Sequence, residues 1–291
     1  MTVAPFRGLV LRVRGGIGER LGERRFPGRP EASGIEIEAY RTYAPGDDLR
    51  HLDWNAFGRL DTLLVRRFTA EREVLVHLLL DCSASMAVPA RDGKLAVARE
   101  LATALASIAL AGNDAVRVTL LDGNGDPRAT PVHRGPMLSR VLEFLAAAEP
   151  RGALALGAAL AEHARRHPRP GVALIVSDFM TDPAELERGL LALRERHYGI
   201  VLLHVLGAGE LDPGRDFRHG VLRDVESGAT HPIALTRAVR ERYAALLAAH
   251  LAALEAMATR VHAAYARMST ATSVHELVTG DLARLGVVGR R

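Results

Sequence analysis

Asp81, Ser83 and Ser85 occupy alternate positions of the segment Asp81-Cys82-Ser83-Ala84-Ser85. On a turn, that spacing lets one carboxylate and two hydroxyls face the same point. A donor set of oxygens alone suits a hard cation such as Mg²⁺ or Mn²⁺. Because hydroxyls are neutral, a cation held by two of them keeps much of its charge, and a carboxylate from another molecule can then complete its coordination. The chemistry expected here is docking through a shared ion. Asp178, at the end of the apolar run 172–177, supplies a second negative group. A plainer reading uses the same residues only as turn and cap groups, since Asp and Ser satisfy backbone donors where a strand gives way to a helix.

Other chemistry is thinly represented. Cys82 has no catalytic base near it in sequence and reads as a small buried thiol. His163 and His167 lie four apart, a metal-ligand spacing on a helix, but no third ligand accompanies them. With Arg165, Arg166 and Pro168 alongside, a solvated helix end is the expectation. The chain holds no Gly-x-Ser-x-Gly elbow, Walker A loop, dinucleotide glycine fingerprint or His-Glu-x-x-His pair. The alternative in the enzyme class is a Mg-dependent phosphatase-like hydrolase with Asp81 as nucleophile and Asp178 holding the metal. Such a site needs a carboxylate two residues after the nucleophile, where this chain has Ser83.

The elements that must position these residues are legible as an alternation of strands and helices. Residues 74–80 form an apolar run broken only by His77, as a strand covered on both faces would. Leu95, Ala98, Leu101, Leu105 and Ile108 then recur at helical spacing, and Gly112 closes that helix. Strands are expected at 116–121, 172–177 and 200–206, with helices at 137–148, 153–167 and from Asp182-Pro183-Ala184-Glu185 to about Arg196. Residues 221–225 and 229–233 read as a hairpin, and 235–265 as one long helix with Leu247, Leu251, Leu254, Met257 and Val261 on a stripe. Ser273 with Glu276 offers a capping box. This order implies a doubly wound, mostly parallel α/β sheet, in which ligands bind at the carboxyl ends of strands. Asp81 and Asp178 both fall there. The domain is placed at 71–291, preceded by an irregular arm at 1–70 with short strands. Within that arm Arg50, Asp53 and Trp54 form a polar-aromatic cluster, either a partner-binding surface or the anchor of the arm.

Composition narrows the classes. With 48% hydrophobic and 25% charged residues the chain is globular. Its basicity is local: residues 1–30 hold seven arginines against Glu19 and Glu23, more than the whole net charge of +4. Charge without a recognition motif is weak support for nucleic-acid binding. Lys94 is the single lysine among 38 basic residues, a bias that, with the abundant alanine, reads as GC-rich codon usage. One cysteine allows no intramolecular disulfide, which fits a reducing, cytoplasmic setting. No apolar stretch reaches the roughly 18 residues a membrane span needs, so no membrane insertion is expected.

The Asp-x-Ser-x-Ser turn after an apolar strand, with a later strand ending in Asp, resembles the metal-ion-dependent adhesion site of von Willebrand factor A domains. More narrowly, the run Tyr43-Ala44-Pro45-Gly46-Asp47-Asp48-Leu49-Arg50, followed by Leu52-Asp53-Trp54-Asn55 and Val65-Arg66-Arg67-Phe68, is similar to the domain of unknown function fifty-eight family. Ser177-Asp178-Phe179 and Arg267-Met268-Ser269-Thr270 also match it. The resemblance implies a von Willebrand factor A-like fold and a bacterial adaptor or co-chaperone beside a MoxR-type AAA+ ATPase, acting on a client protein. It also implies a metal site on Asp81, Ser83 and Ser85 with Asp178 in the outer shell. Relatives that carry transmembrane helices ahead of the motif differ from this chain, which reads as a free-standing version. One departure bears on the metal: the family's middle-loop Thr aligns with Ala153 of Gly152-Ala153-Leu154, which offers no oxygen. Thr181 lies too far along its own loop to be counted as its substitute.

Overall fold

The seven residues of one strand, Leu75–Asp81, are all buried. A strand whose two faces are both covered cannot alternate apolar with polar, and this one, Leu-Val-His-Leu-Leu-Leu-Asp, does not. Everything else in the main unit is arranged about it. The computed structural model describes residues 6, 8–12, 35–45, 52–70, 73–123, 127–135, 137–213, 218–225 and 228–290. In chain order the elements are β1 (Leu9–Leu11), β2 (Ile35–Thr42), α1 (Trp54–Leu60), β3 (Leu64–Ala70), β4 (Leu75–Asp81), α2 (Lys94–Ala111), β5 (Ala115–Leu121), β6 (Arg128–Ala129), α3 (Leu138–Ala146) and α4 (Leu156–Arg166). There follow β7 (Val172–Ser177), α5 (Pro183–Glu195), β8 (Gly199–Leu206), α6 (Ala208–Leu211), β9 (His219–Arg223), β10 (Thr230–Ala234), α7 (Arg237–Arg260) and β11 (Ala264–Ser269). Short helical turns between Val274 and Arg284 lead to β12 (Val288–Arg290).

The chain divides into two compact units, Glu23–Glu73 and the remainder. In the smaller unit β2 and β3 pair antiparallel, with a register shift between Ile37 and Ala39, and α1 lies between them in sequence. In the larger unit six strands form a sheet in the order β11-β8-β7-β4-β5-β6. All its pairings are parallel except that of the two-residue edge strand β6 with β5. The expected doubly wound, mostly parallel α/β architecture is therefore what forms. Leu9–Leu11, in the stretch assigned to the arm, pairs antiparallel with β12 in this larger unit, and Leu11 is buried in its core.

Two cores flank the sheet. On one face Leu78, Leu80 and Val118 pack against Leu101, Leu105 and Ile108 of α2 and Val141 and Leu145 of α3. On the other face Leu79, Ile175 and Leu202 pack against Leu160 of α4, Leu186 and Leu190 of α5 and Leu254 and Met257 of α7. Leu78, Leu79 and Leu80 are wholly buried, so truncating any of them to Ala costs about 2–5 kcal/mol. The chain leaves β4 for β5 on one side and later returns to β7 on the other. The strand order thus reverses between β4 and β7, and an open α/β sheet has its crevice at that switch point, beyond the carboxyl ends of the strands.

Three expectations need correction. The helix expected through Tyr265 ends at Arg260, and Ala264–Ser269 is instead an edge strand parallel to β8. His262 adopts the left-handed conformation (φ 50°), which no helix continues through. The apolar stripe runs unbroken to Val261 and masks this; the period-two burial of Ala266 and Met268 was the competing signal. The stripe itself is buried only from Leu254 onward, and Leu247 and Leu251 are half-buried. The helix expected from Ala153 begins at Leu156, because Gly152 is left-handed (φ 61°) and the following residues pack closely on Gly123.

Candidate functional site

Asp81 ends β4, and Ser177 and Asp178 lie where the neighbouring β7 ends. Parallel register aligns Leu80 with Val176, so the two strands finish together at the switch point. Asp81 is buried and accepts two hydrogen bonds: Oδ1 from the Ser83 amide at 2.8 Å and Oδ2 from the Ser177 hydroxyl at 2.6 Å. The first bond curls the chain tightly after the strand and brings Ser83 Oγ and Ser85 Oγ within 2.9 Å of each other. Ser177 Oγ also accepts the Phe179 amide at 2.9 Å. Phe179 is left-handed (φ 46°) although it is buried and carries a large side chain, a backbone cost tolerated where a site fixes the turn. That turn sets the Met180 amide on Asp178 Oδ1 at 3.2 Å.

Asp81, Ser83, Ser85, Ser177, Asp178 and Thr181 line one concavity of about 10 Å³, with Leu154, Leu156, Phe179 and Met180 around it. That is room for a single water or a bare ion, far below the roughly 300 Å³ of a small-molecule pocket. All four residues expected to form the site therefore meet. Thr181, set aside on sequence distance, lines the same concavity, since the reversal at Phe179 shortens its path; its hydroxyl donates to Glu185 Oε2 at 2.8 Å. The middle loop also arrives: the Gly152 carbonyl accepts the Ala84 amide at 2.8 Å and Leu154 borders the concavity. Ala153 itself is exposed and brings no oxygen.

Burial, and then the nearby charge of Asp178, push the Asp81 carboxyl up to about 6, although hydrogen bonds from Ser177 and Ser83 pull the other way. A cation between these groups would remove the penalty. Among the described residues no three histidine, cysteine or carboxylate side chains gather into a metal cage. What gathers here is two carboxylates with hydroxyls, and that oxygen set fits Mg²⁺ or Mn²⁺ in kind, with one donor fewer than the resemblance implies.

Sequence reasoning missed Lys94. It opens α2, its side chain is 1% exposed, and its ammonium donates to Asp178 Oδ2 at 2.7 Å and Glu210 Oε1 at 2.5 Å. Burial lowers its pKa, but Asp178 and Glu210 outweigh that and raise it overall. Glu210 is held in turn by the Gly207 amide (2.7 Å), and the Gly209 amide rests on Asp92 Oδ2 (2.8 Å). A Cβ at Gly207 would sit 2.3 Å from that Asp92 oxygen, so a larger residue there would have to displace the carboxylate. The signal available was that a chain using arginine everywhere else keeps one lysine here: a compact point charge fits between two carboxylates where a planar guanidinium does not.

Cys82 is buried, and burial first and Asp81 second push its thiol up to about 12, so it is inert at neutral pH. The expectation of a solvated helix end is overturned for His163, while His167 is half-exposed at the end of α4 between the exposed Arg166 and Pro168. His163 is 2% exposed, and its Nε2 lies 3.0 Å from Nδ1 of the buried His77. Burial above all holds both rings neutral, His77 lowered to about 3 and His163 to about 2. Leu156, Leu160, His163 and Ala164 form the buried stripe of α4, a periodicity that outweighs the polar neighbours. Asp53 caps α1, accepting the Asn55 and Ala56 amides at 3.0 Å each. Trp54 is 63% exposed and meets Phe57 edge-on at 6.4 Å. Arg50 lies outside the described residues.

The model of the family described as protein of unknown function DUF58 matches residues 39–253. Uncharacterized proteins of Mycobacterium bovis and Mycobacterium tuberculosis are each 33% identical over 235 residues, covering 75% of this chain and 69% of theirs. Among solved structures, the conserved hypothetical protein BatB from Bacteroides thetaiotaomicron is similar over 73% of this chain and 98% of its own, at 18% identity and a TM-score of 0.45. An aerotolerance-related membrane protein from Bacteroides fragilis, with multiple mutations to serines, covers 72% and 99% at 19% identity and a TM-score of 0.44. The SpRpn10 VWA domain covers 71% and 94% at 12% identity and a TM-score of 0.39.

Proposed function

The chain belongs to the DUF58 family, and from that premise we propose that it is a protein-docking module that holds Mg²⁺ or Mn²⁺ on Asp81, Ser83 and Ser85. The ion supplies one chemistry, Lewis-acid affinity for an acidic side chain of a partner. Asp178 stands in the outer shell, Ser177 orients the Asp81 carboxylate, and the reversal at Phe179 keeps the rim in place. The observation that carries the reading is the meeting of two buried carboxylates and two paired hydroxyls at the switch point of the sheet, around a space of one ion's size. No helix among the described residues is long and apolar enough to cross a membrane, and we assign the chain to the cytoplasm.

For the partner we propose a MoxR-type AAA+ ATPase, with this chain as adaptor or co-chaperone toward a client. The basis is the resemblance of residues 43–50 and 52–55. Immobilised protein should retain that ATPase from host lysate with Mg²⁺ present, and release it on chelation or in Asp81→Ala. Retention that ignores both would remove the metal from the account. A phosphatase built on Asp81 lacks its acid, since Ser83 stands in that place. Turnover of a generic phosphate ester by wild type that vanishes in Asp81→Asn would overturn the docking reading in its favour.

A further inference from the structure

We infer that Lys94 is a fixed counter-charge that restrains this site's hold on a divalent cation, so that the bound ion stays electropositive enough to take a partner's carboxylate. The inference rests on the docking reading above. Lys94 reaches the site from beneath: its Nζ touches Asp178, which lines the concavity, and Glu210, which does not. With Asp81, Asp178 and Glu210 ionised and Lys94 protonated, this group carries a formal charge of about −2, which one divalent ion neutralises. Were the ammonium absent, the same three carboxylates would over-neutralise the ion. It would bind more tightly and attract an external acid less. A buried ion pair kept only for packing makes no such prediction about cation affinity.

The geometry also separates two variants that charge alone sets apart. Lys94→Met keeps the length of the apolar stem and removes the positive charge. Glu210→Gln keeps an acceptor for the Gly207 amide, removes a negative charge and leaves Lys94 to Asp178 alone. The charges at the site thus move in opposite directions. Loss of fold, by contrast, would weaken binding in both.

Mn²⁺ titration by calorimetry and by loss of the free-ion paramagnetic resonance signal, on the full chain at pH 7.5, reads this out. Relative to wild type, Lys94→Met should bind Mn²⁺ about tenfold more tightly or better, and Glu210→Gln several-fold more weakly. Lys94→Gln should follow Lys94→Met and provides the same reading if the methionine variant does not fold. Binding by Lys94→Met where wild type shows none also supports the inference. If wild type binds through Asp81, as judged by Asp81→Ala, but neither Lys94 variant binds more tightly, the inference fails and the docking reading stands. If no variant binds Mn²⁺ in an Asp81-dependent way, both fail.

Discussion

Asp81 is a carboxylate kept in a place that suits its charge only when a cation is there. Its pKa is raised from an ordinary 3.8 to about 6 by burial and by Asp178. For an acid raised in the folded state, the favourable contribution is complete below the unfolded value and disappears as pH climbs through the folded one. In the cation-free protein Asp81 therefore costs stability above about pH 6, by roughly 3 kcal/mol at most. Asp81→Asn keeps an acceptor for the Ser177 hydroxyl and loses the one that takes the Ser83 amide, a cost that does not vary with pH, so without metal the melting temperature of wild type relative to the variant should fall from pH 4 to pH 7.5. Thermal melts across that range check it; a difference that stays constant with pH would show that the ionised form is already compensated. At this scale much was legible. The Asp-x-Ser-x-Ser spacing located the turn, and Asp178 followed from the strand before it. Lys94 and the His77–His163 pair were not, because each is defined by partners 84 or more residues away, and local polarity says nothing about what lies across a sheet.

Elements hold these side chains in register through close backbone approaches. At the crossing of α4 and α5, a Cβ on Gly157 would lie 2.1 Å from the Glu185 carbonyl, and one on Gly189 would lie 2.3 Å from the Gly157 carbonyl. Neither obstacle is a flexible side-chain tip, so the helices must move apart to admit a methyl. Glu185 also receives the Thr181 hydroxyl, so separation of the helices would pull on the rim of the concavity. Gly157→Ala should destabilise by about 1–3 kcal/mol and weaken metal binding together. Chemical denaturation alongside a Mg²⁺ titration tests both, and an unchanged denaturation midpoint would mean that the two helices part at little cost. Helices with sharp caps were easiest to read from sequence: Gly112 closes α2 and Asp182 caps α5 where expected. The strand β11 was hidden because the stripe of α7 runs into it. What ends the helix is a left-handed His262, a conformation no composition rule forces on histidine.

On the scale of the whole molecule, the sheet order decides where function sits. A chain that starts in the middle of a sheet and fills both sides leaves its crevice beside the first strand, and β4 is that strand. The fold class was legible because helices and strands alternate so regularly. The antiparallel pairing of Leu9–Leu11 with Val288–Arg290 was not, since it joins the two ends of the chain. Apolar side chains remain exposed on the smaller unit at Trp54 and Leu60 and on the β9–β10 hairpin at Val221 and Leu222. Docking as proposed uses only one of the molecule's surfaces, the rim where Asp81 and Asp178 meet. Calorimetric titration of the intact chain with Mg²⁺, beside Asp81→Ala and Ser85→Ala, tests it most directly. One saturable site in wild type, abolished by the first substitution and weakened by the second, is the result expected. Heat that persists unchanged in Asp81→Ala, or that no chain produces, would contradict a cation-mediated dock.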